Sequence, residues 1–325
     1  MQIVHRPRRN RKTLPVRDMV QESFVNISQF IYPMFVTGGN TEQILSMQGI
    51  YRYDIESLLK EIEICVKLGI LNYCIFPHYP DEKKDAWATE SYNEKGLYLT
   101  AIKKIKANFP HITLMTDVAM DPYSIHGHDG IYADGKIVND ATLDILSKMA
   151  VAQAHAGADM VGPSDMMDGR VAHIRQALDN EGFTDTSIIA YTAKYASALY
   201  GPFRDALQSA PKAGDKKTYQ MNPANAKEAL LEANLDADEG ADILMVKPAG
   251  MYLDVIQSLK NNFLHPIAAY QVSGEYAMIK AASAQGWIDH DAVMYESLIS
   301  IKRAGADIIL TYFAKQFAQK FGKTS

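Results

Sequence analysis

The stretch Gly240-Ala241-Asp242-Ile243-Leu244-Met245-Val246-Lys247-Pro248 decides the fold. A helical pattern runs up to Gly240, and glycine enters the left-handed stop of a helix without a Cβ penalty. Four apolar residues follow, Ile243, Leu244, Met245 and Val246, as in a strand buried on both faces. A lysine then closes the run. The opening phrase recurs as Gly157-Ala158-Asp159 and Gly305-Ala306-Asp307, each between a helical pattern and an apolar run. Gly69 stands in the same way before another such run.

Working outward, runs rich in β-branched and aromatic residues cover 30–36, 71–77, 112–118, 159–164, 188–194, 243–248, 267–273 and 308–313. Helical patterns with apolar residues at three- and four-residue steps lie between them, for example over 54–68, 141–156 and 291–304. Eight strands alternating with helices predict an α/β chain folded as a (β/α)8 TIM barrel rather than an open doubly wound sheet. No Gly-x-Gly-x-x-Gly follows the first strand and no phosphate-binding loop motif is present, so the nucleotide-binding alternatives lose their support.

Composition sets the limits. The 325 residues are 47% hydrophobic and 22% charged, enough for a sizeable core and too apolar for general disorder. A net charge of −5 argues against a whole-chain nucleic-acid binder. Two cysteines, Cys65 and Cys74, exclude a disulfide framework and fit a reducing compartment; their positions on a helix and a strand read as small core residues. No apolar run approaches the ~18 residues of a membrane helix. No apolar signal segment opens the chain. These features predict a soluble, cytoplasmic enzyme-sized protein with no nucleic-acid or membrane partner.

Residues 1–25 read as an arm and 26–325 as a single barrel domain. Arg6, Arg8, Arg9, Arg11, Lys12 and Arg17 precede the first acid, Asp18. Such a basic, proline-broken segment builds no core of its own. It reads as a solvated tail, a nucleic-acid patch, a transit peptide or a grip on another subunit. Two connections, 119–139 and 195–222, are long, element-free in the pattern and placed after strands, where barrels build their sites. The second holds glycines, prolines and the charged run Asp215-Lys216-Lys217, which predicts an exposed, mobile lid.

In a barrel the informative positions are the C-terminal strand ends. Here they are Asp117, Ser164 with Asp165, Lys194, Lys247, Ser273 and Tyr312. A single lysine at such a place usually snorkels its ammonium to water. Lys194 and Lys247 end successive strands 53 residues apart, a loop, a helix and a strand. Mutual repulsion and burial should then hold at least one amine neutral enough to attack a carbonyl and form a Schiff base. His126-Gly127-His128-Asp129-Gly130, with Asp121, has the look of a metal loop, suited to a hard cation such as Mg2+ rather than to structural zinc. The cations Arg204 and Lys216 lie in the second loop, where they either clamp a carboxylate or phosphate or are simply solvated. Met166 and Met167 read as packing.

Several motifs together resemble the porphobilinogen synthase (δ-aminolevulinic acid dehydratase) family. They are Met245-Val246-Lys247-Pro248-Ala249, Ala193-Lys194-Tyr195-Ala196-Ser197, Gly201-Pro202-Phe203-Arg204-Asp205-Ala206, Pro163-Ser164-Asp165-Met166-Met167-Asp168-Gly169-Arg170, Tyr219-Gln220-Met221-Asn222-Pro223 and Val272-Ser273-Gly274-Glu275-Tyr276. They follow the family order over nearly the whole chain. The resemblance implies a lyase of tetrapyrrole (heme) synthesis that condenses two 5-aminolevulinate molecules into porphobilinogen with loss of two waters. It implies that Lys247 forms the Schiff base at the P site and that Lys194 is tied to the A-site substrate. Ser273 and Tyr312 would hold the P-site carboxylate, and Arg204, Lys216 and Gln220 the A-site carboxylate, with Asp117 and Ser164 lining the pocket. It further implies an arm that wraps a neighbour, a homo-octamer, and Glu232 as ligand of an allosteric activating Mg2+. Zinc-type members carry three cysteines after the third strand; Ala119, Asp121 and Asp129 stand there here, like the aspartate-type branch without active-site zinc. Lys216 stands where arginine is common. A class I aldolase-like barrel with one Schiff-base lysine explains Lys247 but leaves Lys194 and the lid cations idle, and a non-catalytic scaffold leaves every motif position without a use.

Overall fold

In the computed structural model, which describes residues 3–322, eight parallel strands close into a barrel. They are β1 (Phe30–Thr37), β2 (Asn72–His78), β3 (Thr113–Val118), β4 (Met160–Pro163), β5 (Ser187–Lys194), β6 (Ile243–Lys247), β7 (Ile267–Gln271) and β8 (Ile308–Thr311). Neighbours pair in chain order, and β8 returns to β1 through Phe30↔Ile309 and Ile31↔Leu310. Every strand read from the sequence is present within two residues at either end. The strands are buried almost throughout because helices cover their outer face and side chains fill the interior.

The recurring Gly-Ala-Asp phrase does two jobs. Gly157 and Gly305, at φ 107° and 119°, end the helices Asn139–Ala156 and His290–Ala304. The aspartate then locks the coming strand to the one before it. Leu114 N–H donates to Asp159 Oδ2 at 2.7 Å, Ile188 N–H to Asp242 Oδ2 at 2.7 Å, and Ile267 N–H to Asp307 Oδ2 at 2.9 Å. Each aspartate's own N–H returns a bond to the carbonyl of the same residue, at 3.0, 2.9 and 2.7 Å. These reciprocal pairs tie off alternate strands at the N-terminal end of the barrel.

Both long connections carry structure that the sequence reading leaves out. The first contains a hairpin, Ile131–Ala133 with Lys136–Val138, turned by Asp134 and Gly135 at φ 50° and 76°. The second contains a 3-10 turn, Ala198–Tyr200, and a short helix, Gly201–Leu207. It is only in part the exposed excursion expected: 212–215, Lys217 and Thr218 are exposed, but Ser209, Lys216 and Gln220 within it are buried. The arm forms a 3-10 turn, Pro7–Arg11, and a helix, Leu14–Met19, without one buried residue in either. Met1 and Gln2 of the arm and 323–325 of the barrel lie outside the described residues. Among the described residues no helix is long and apolar enough to cross a membrane.

Candidate active site

The two lysines meet because a bulge in β5 absorbs one extra residue. Leu244 pairs with Ala190 but Val246 pairs with Ala193, so three residues of β5 span what two of β6 span. This bulge brings Lys247 opposite Lys194. Without it Lys247 would face Ala193, and Lys194 would turn to the other side of the sheet, because a one-residue slip reverses every side chain. The bulge also lets Tyr191 face the interior together with Lys194, although they are three apart.

The Lys247 amine sits among four aromatic rings. Its Nζ lies 5.0 Å from the Tyr191 centroid, 5.3 Å from Tyr200, 5.0 Å from Phe203 and 4.5 Å from Tyr270. The residue is 5% exposed, and its amine makes no ion pair among the described residues. Burial, followed by the charge of Lys194, pushes its pKa down to about 7, against the attraction of Asp117, Asp121 and Asp129. The ring faces attract the cation only weakly compared with lost hydration. The Lys247 amine is thus suited to attack a carbonyl.

Lys194 is held differently. Its Nζ donates to Asp129 Oδ2 at 3.1 Å and to the Ser164 carbonyl. Asp129 is completely buried and is shared: Lys216 Nζ from the lid donates to its Oδ1 at 2.6 Å and lies 3.4 Å from Asp121 Oδ2. Burial alone would raise the Asp129 pKa, but Lys194 and Lys216 together hold it well below the usual carboxylate range. Burial opposes the charge of Lys216, and Asp121 and Asp129 more than restore it. The Gln220 amide nitrogen lies 3.5 Å from Asp129 Oδ2.

These pairs occupy the carboxylates of the loop singled out as a metal cluster. Ala119 offers no donor, and both aspartates already face ammonium groups, so the set does not fit zinc. The histidines point elsewhere. His128 Nε2 bonds the lid carbonyl of Ala213 at 2.8 Å and its Nδ1 the Tyr219 hydroxyl at 3.1 Å, while His126 packs on Tyr132 at 5.3 Å. Among the described residues no three His, Cys, Asp or Glu side chains converge as a metal site. His128 is a lid fastener.

Asp117 lies between the two lysines in charge terms. Burial first, and then Asp121, push its pKa up to about 7, against the Ser164 hydroxyl, Lys194 and Lys247. Its Oδ1 is buried without a hydrogen-bond partner. Asp165 turns away and accepts the Met167 N–H at 2.7 Å. Ser273 accepts the Phe203 N–H on its Oγ at 3.0 Å, which ties the strand-end position to the lid helix. The Tyr312 hydroxyl meets that of Tyr270 at 3.0 Å. Arg204 is half-buried with no ion-pair partner among the described residues. Lys216 is therefore already engaged by carboxylates of its own chain, whereas Arg204 has no such partner among the described residues.

Glu232 stands apart. It lies on the helix Glu228–Asp238 and lines a side cavity of about 800 Å3 shared with Asp168, Glu228, Tyr219 and Asn222. Burial, offset by Arg170, pushes it up to about 7. Arg170 itself is buried in a forked pair with Asp236, at 2.9 and 3.2 Å. Cys65 and Cys74 are both buried, as are Met166 and Met167. The sequence reading misses the aromatic walls. Tyr191 and Tyr270 sit on the lysine strands or next to them, but interior and exterior tyrosines look alike in a continuously apolar run.

A family model described as delta-aminolevulinic acid dehydratase matches residues 4–320. The chain is 53% identical over 311 residues to the delta-aminolevulinic acid dehydratase of Chlamydia pneumoniae, covering 95% of this chain and 94% of that one. It is 51% identical to that of Bradyrhizobium diazoefficiens over 97% and 90% of the two chains. Its backbone matches the crystal structure of the Toxoplasma gondii enzyme in complex with the reaction product porphobilinogen at a TM-score of 0.96 and 53% identity, over 98% and 91%.

Proposed function

The chain belongs to the delta-aminolevulinic acid dehydratase family, and from that premise we propose how its own residues condense two 5-aminolevulinate molecules into porphobilinogen. Lys247 attacks the ketone carbon of the first molecule, and one water leaves as the imine forms. Lys194 does the same with the second, which accounts for the second water. Each lysine is regained as the ring closes: one is displaced by a substrate amine, the other is expelled as the new carbon–carbon bond becomes a double bond. The observation that carries this reading is the Lys247 amine, held near neutrality by its rings beside a second lysine. Asp117, with an unpartnered oxygen and a pKa of about 7, is suited to move a proton at the substrate amine or the adjoining carbon. Ser164 orients it.

Ser273 and Tyr312 are positioned for the first carboxylate, and Arg204 with Gln220 for the second. Lys216 joins that clamp when the substrate carboxylate replaces Asp121 as its second partner. Asp121 and Asp129 replace zinc cysteines in this reading, so the chain is of the aspartate type and no step runs through a metal at the lysines. Glu232 is the proposed ligand for an activating Mg2+, supported by the acidic side cavity around it. The arm, 1–25, carries inter-subunit contacts of a homo-octamer, and the barrel, 26–325, the chemistry, in the cytoplasm. Support for the arm comes from its bare surface: Leu14, Met19 and Phe24 are exposed side chains on a segment with no fully buried residue among those described.

The deciding experiment adds 5-aminolevulinate and borohydride, maps the modified peptide, and assays the pyrrole by colour. Lys247 should be trapped and Lys247→Ala should lose turnover while staying folded. A folded alanine variant with substantial turnover overturns the role of Lys247.

A further inference from the structure

Glu275 is a buried carboxylate that the chemistry above does not use. It is 6% exposed, on the first turn of the helix Ser273–Ala284. All its partners are backbone N–H groups, from two different loops. Val272 N–H donates to Oε2 at 2.7 Å, which caps the helix. Gly250 N–H donates to Oε1 at 2.6 Å and Ala249 N–H to Oε2 at 3.4 Å. Ala249 and Gly250 begin the turn directly after Lys247-Pro248.

The same helix start grips the base of the lid. Ser273 bonds Phe203 N–H at 3.0 Å and faces the Leu199 carbonyl at 3.4 Å. A Cβ on Gly274 would come within 2.5 Å of that carbonyl, so the two backbones are in direct contact. Two walls of the lysine cage, Tyr200 and Phe203, belong to this lid base. The Lys247 carbonyl is held from the other side by Tyr195 N–H at 2.9 Å and the Tyr200 hydroxyl at 3.2 Å.

We propose that Glu275 is a positioning residue for Lys247: its carboxylate pins the turn that follows the lysine onto the helix that holds the lid base, so that amine and cage walls share one anchor. The proposal rests on Lys247 being the imine-forming amine. It predicts that loosening Glu275 lets the amine leave its rings and regain water. The groups that face the amine, Lys194, Asp117, Asp121 and Asp129, stay as they are.

The test is the pH dependence of borohydride trapping of 5-aminolevulinate on Lys247 in the full chain. Glu275→Gln keeps the shape but turns an amide NH2 toward N–H donors. Gly250→Ala keeps Glu275 and puts a Cβ 2.6 Å from its Oε1, displacing the carboxylate from the turn. Each should raise the midpoint by about one unit and slow trapping at pH 7 roughly fivefold, because rehydration favours the ammonium and the neutral fraction falls from about a half to about a tenth. The double variant should be no worse than the worse single one, since both break one contact. The sign is diagnostic: if Glu275 acted only as a negative charge, its removal would lower the midpoint. An unchanged or lowered midpoint, or additive effects in the double variant, overturns the proposal. If Glu275→Gln does not fold, the Gly250→Ala midpoint decides alone. Failure of wild-type trapping would instead overturn the assignment of Lys247.

Discussion

Replacing Asp129 by asparagine removes one charge and almost no volume. Its oxygens lie 3.1 Å from Lys194 Nζ and 2.6 Å from Lys216 Nζ, in a residue with no exposed surface. The variant leaves two buried ammonium groups with only Asp121, 3.4 Å from Lys216, to answer them. Breaking a buried pair from one side costs about 3–5 kcal/mol. The cost per lysine has a ceiling, because a lysine too costly to charge gives up its proton. From the ordinary value of 10.5 to pH 7 that ceiling is about 5 kcal/mol, and it drops by ~1.4 kcal/mol for each further pH unit. So the stability deficit should be about 3–5 kcal/mol at pH 7 and fall toward about 2 kcal/mol near pH 9 for Lys194, the lysine left without an ion-pair partner while Lys216 keeps Asp121. In acid the curves should also converge. Asp129 has its pKa depressed in the folded state, so its contribution is complete above the ordinary carboxylate range and is lost as pH falls toward its folded value. Urea unfolding followed by circular dichroism between pH 3 and pH 9 measures this. A deficit that does not vary with pH, or one below about 1 kcal/mol at pH 7, would show that Asp129 does not carry the two ammonium charges.

Four further outcomes are expected. Trapping at Lys247 should fall tenfold per unit below pH 7 and level off above about pH 8, following its depressed pKa; a rate still climbing at pH 9.5 would mark an ordinary lysine. Arg204→Ala should raise KM and lower kcat together, and substrate should slow protease nicking within 195–222; equal nicking with and without substrate counts against a lid. Deleting 1–17 should lower the mass seen by light scattering, whereas an unchanged mass leaves the arm a tail. Turnover should survive a zinc-selective chelator and thiol-blocking reagents, with added Mg2+ at most stimulating. Loss restored only by stoichiometric Zn2+ would refute the aspartate-type assignment.

How much of this was legible in the sequence depends on what each feature needed. The strands were legible because a glycine stop before an apolar run is a local signal, and Lys247 and Lys194 followed as strand ends. Their meeting was not, because a bulge between residues 190 and 193 leaves no mark in a run apolar on both faces. The role of Asp129 was hidden for another reason: its partners stand 65 and 87 residues away, and nothing local says which carboxylate a lysine finds. Two signals were present and passed over. Asp134-Gly135 between Ile131-Tyr132 and Lys136-Ile137 is a two-residue hairpin turn. Pro202 at the first turn opens the lid helix. The aspartate of the Gly-Ala-Asp phrase carried no role in the sequence, since its bond to the previous strand start is a tertiary fact.

The bulge gives β5 one residue of slack against β6. Adjacent strands lie about 4.8 Å apart by backbone hydrogen bonding, so two register partners form a ruler that side chains cannot stretch. Point changes along 190–193 alter only what lines the barrel. Loss of a single residue there would straighten the ladder, pairing Leu244 through Lys247 with four consecutive residues that still end at Lys194, so the two amines would stay opposed. The chain can therefore drift in spelling across this strand and even lose one residue from it, whereas one residue more between Ala190 and Lys194, without a second bulge, would turn Lys194 toward the helices and leave one amine at the mouth.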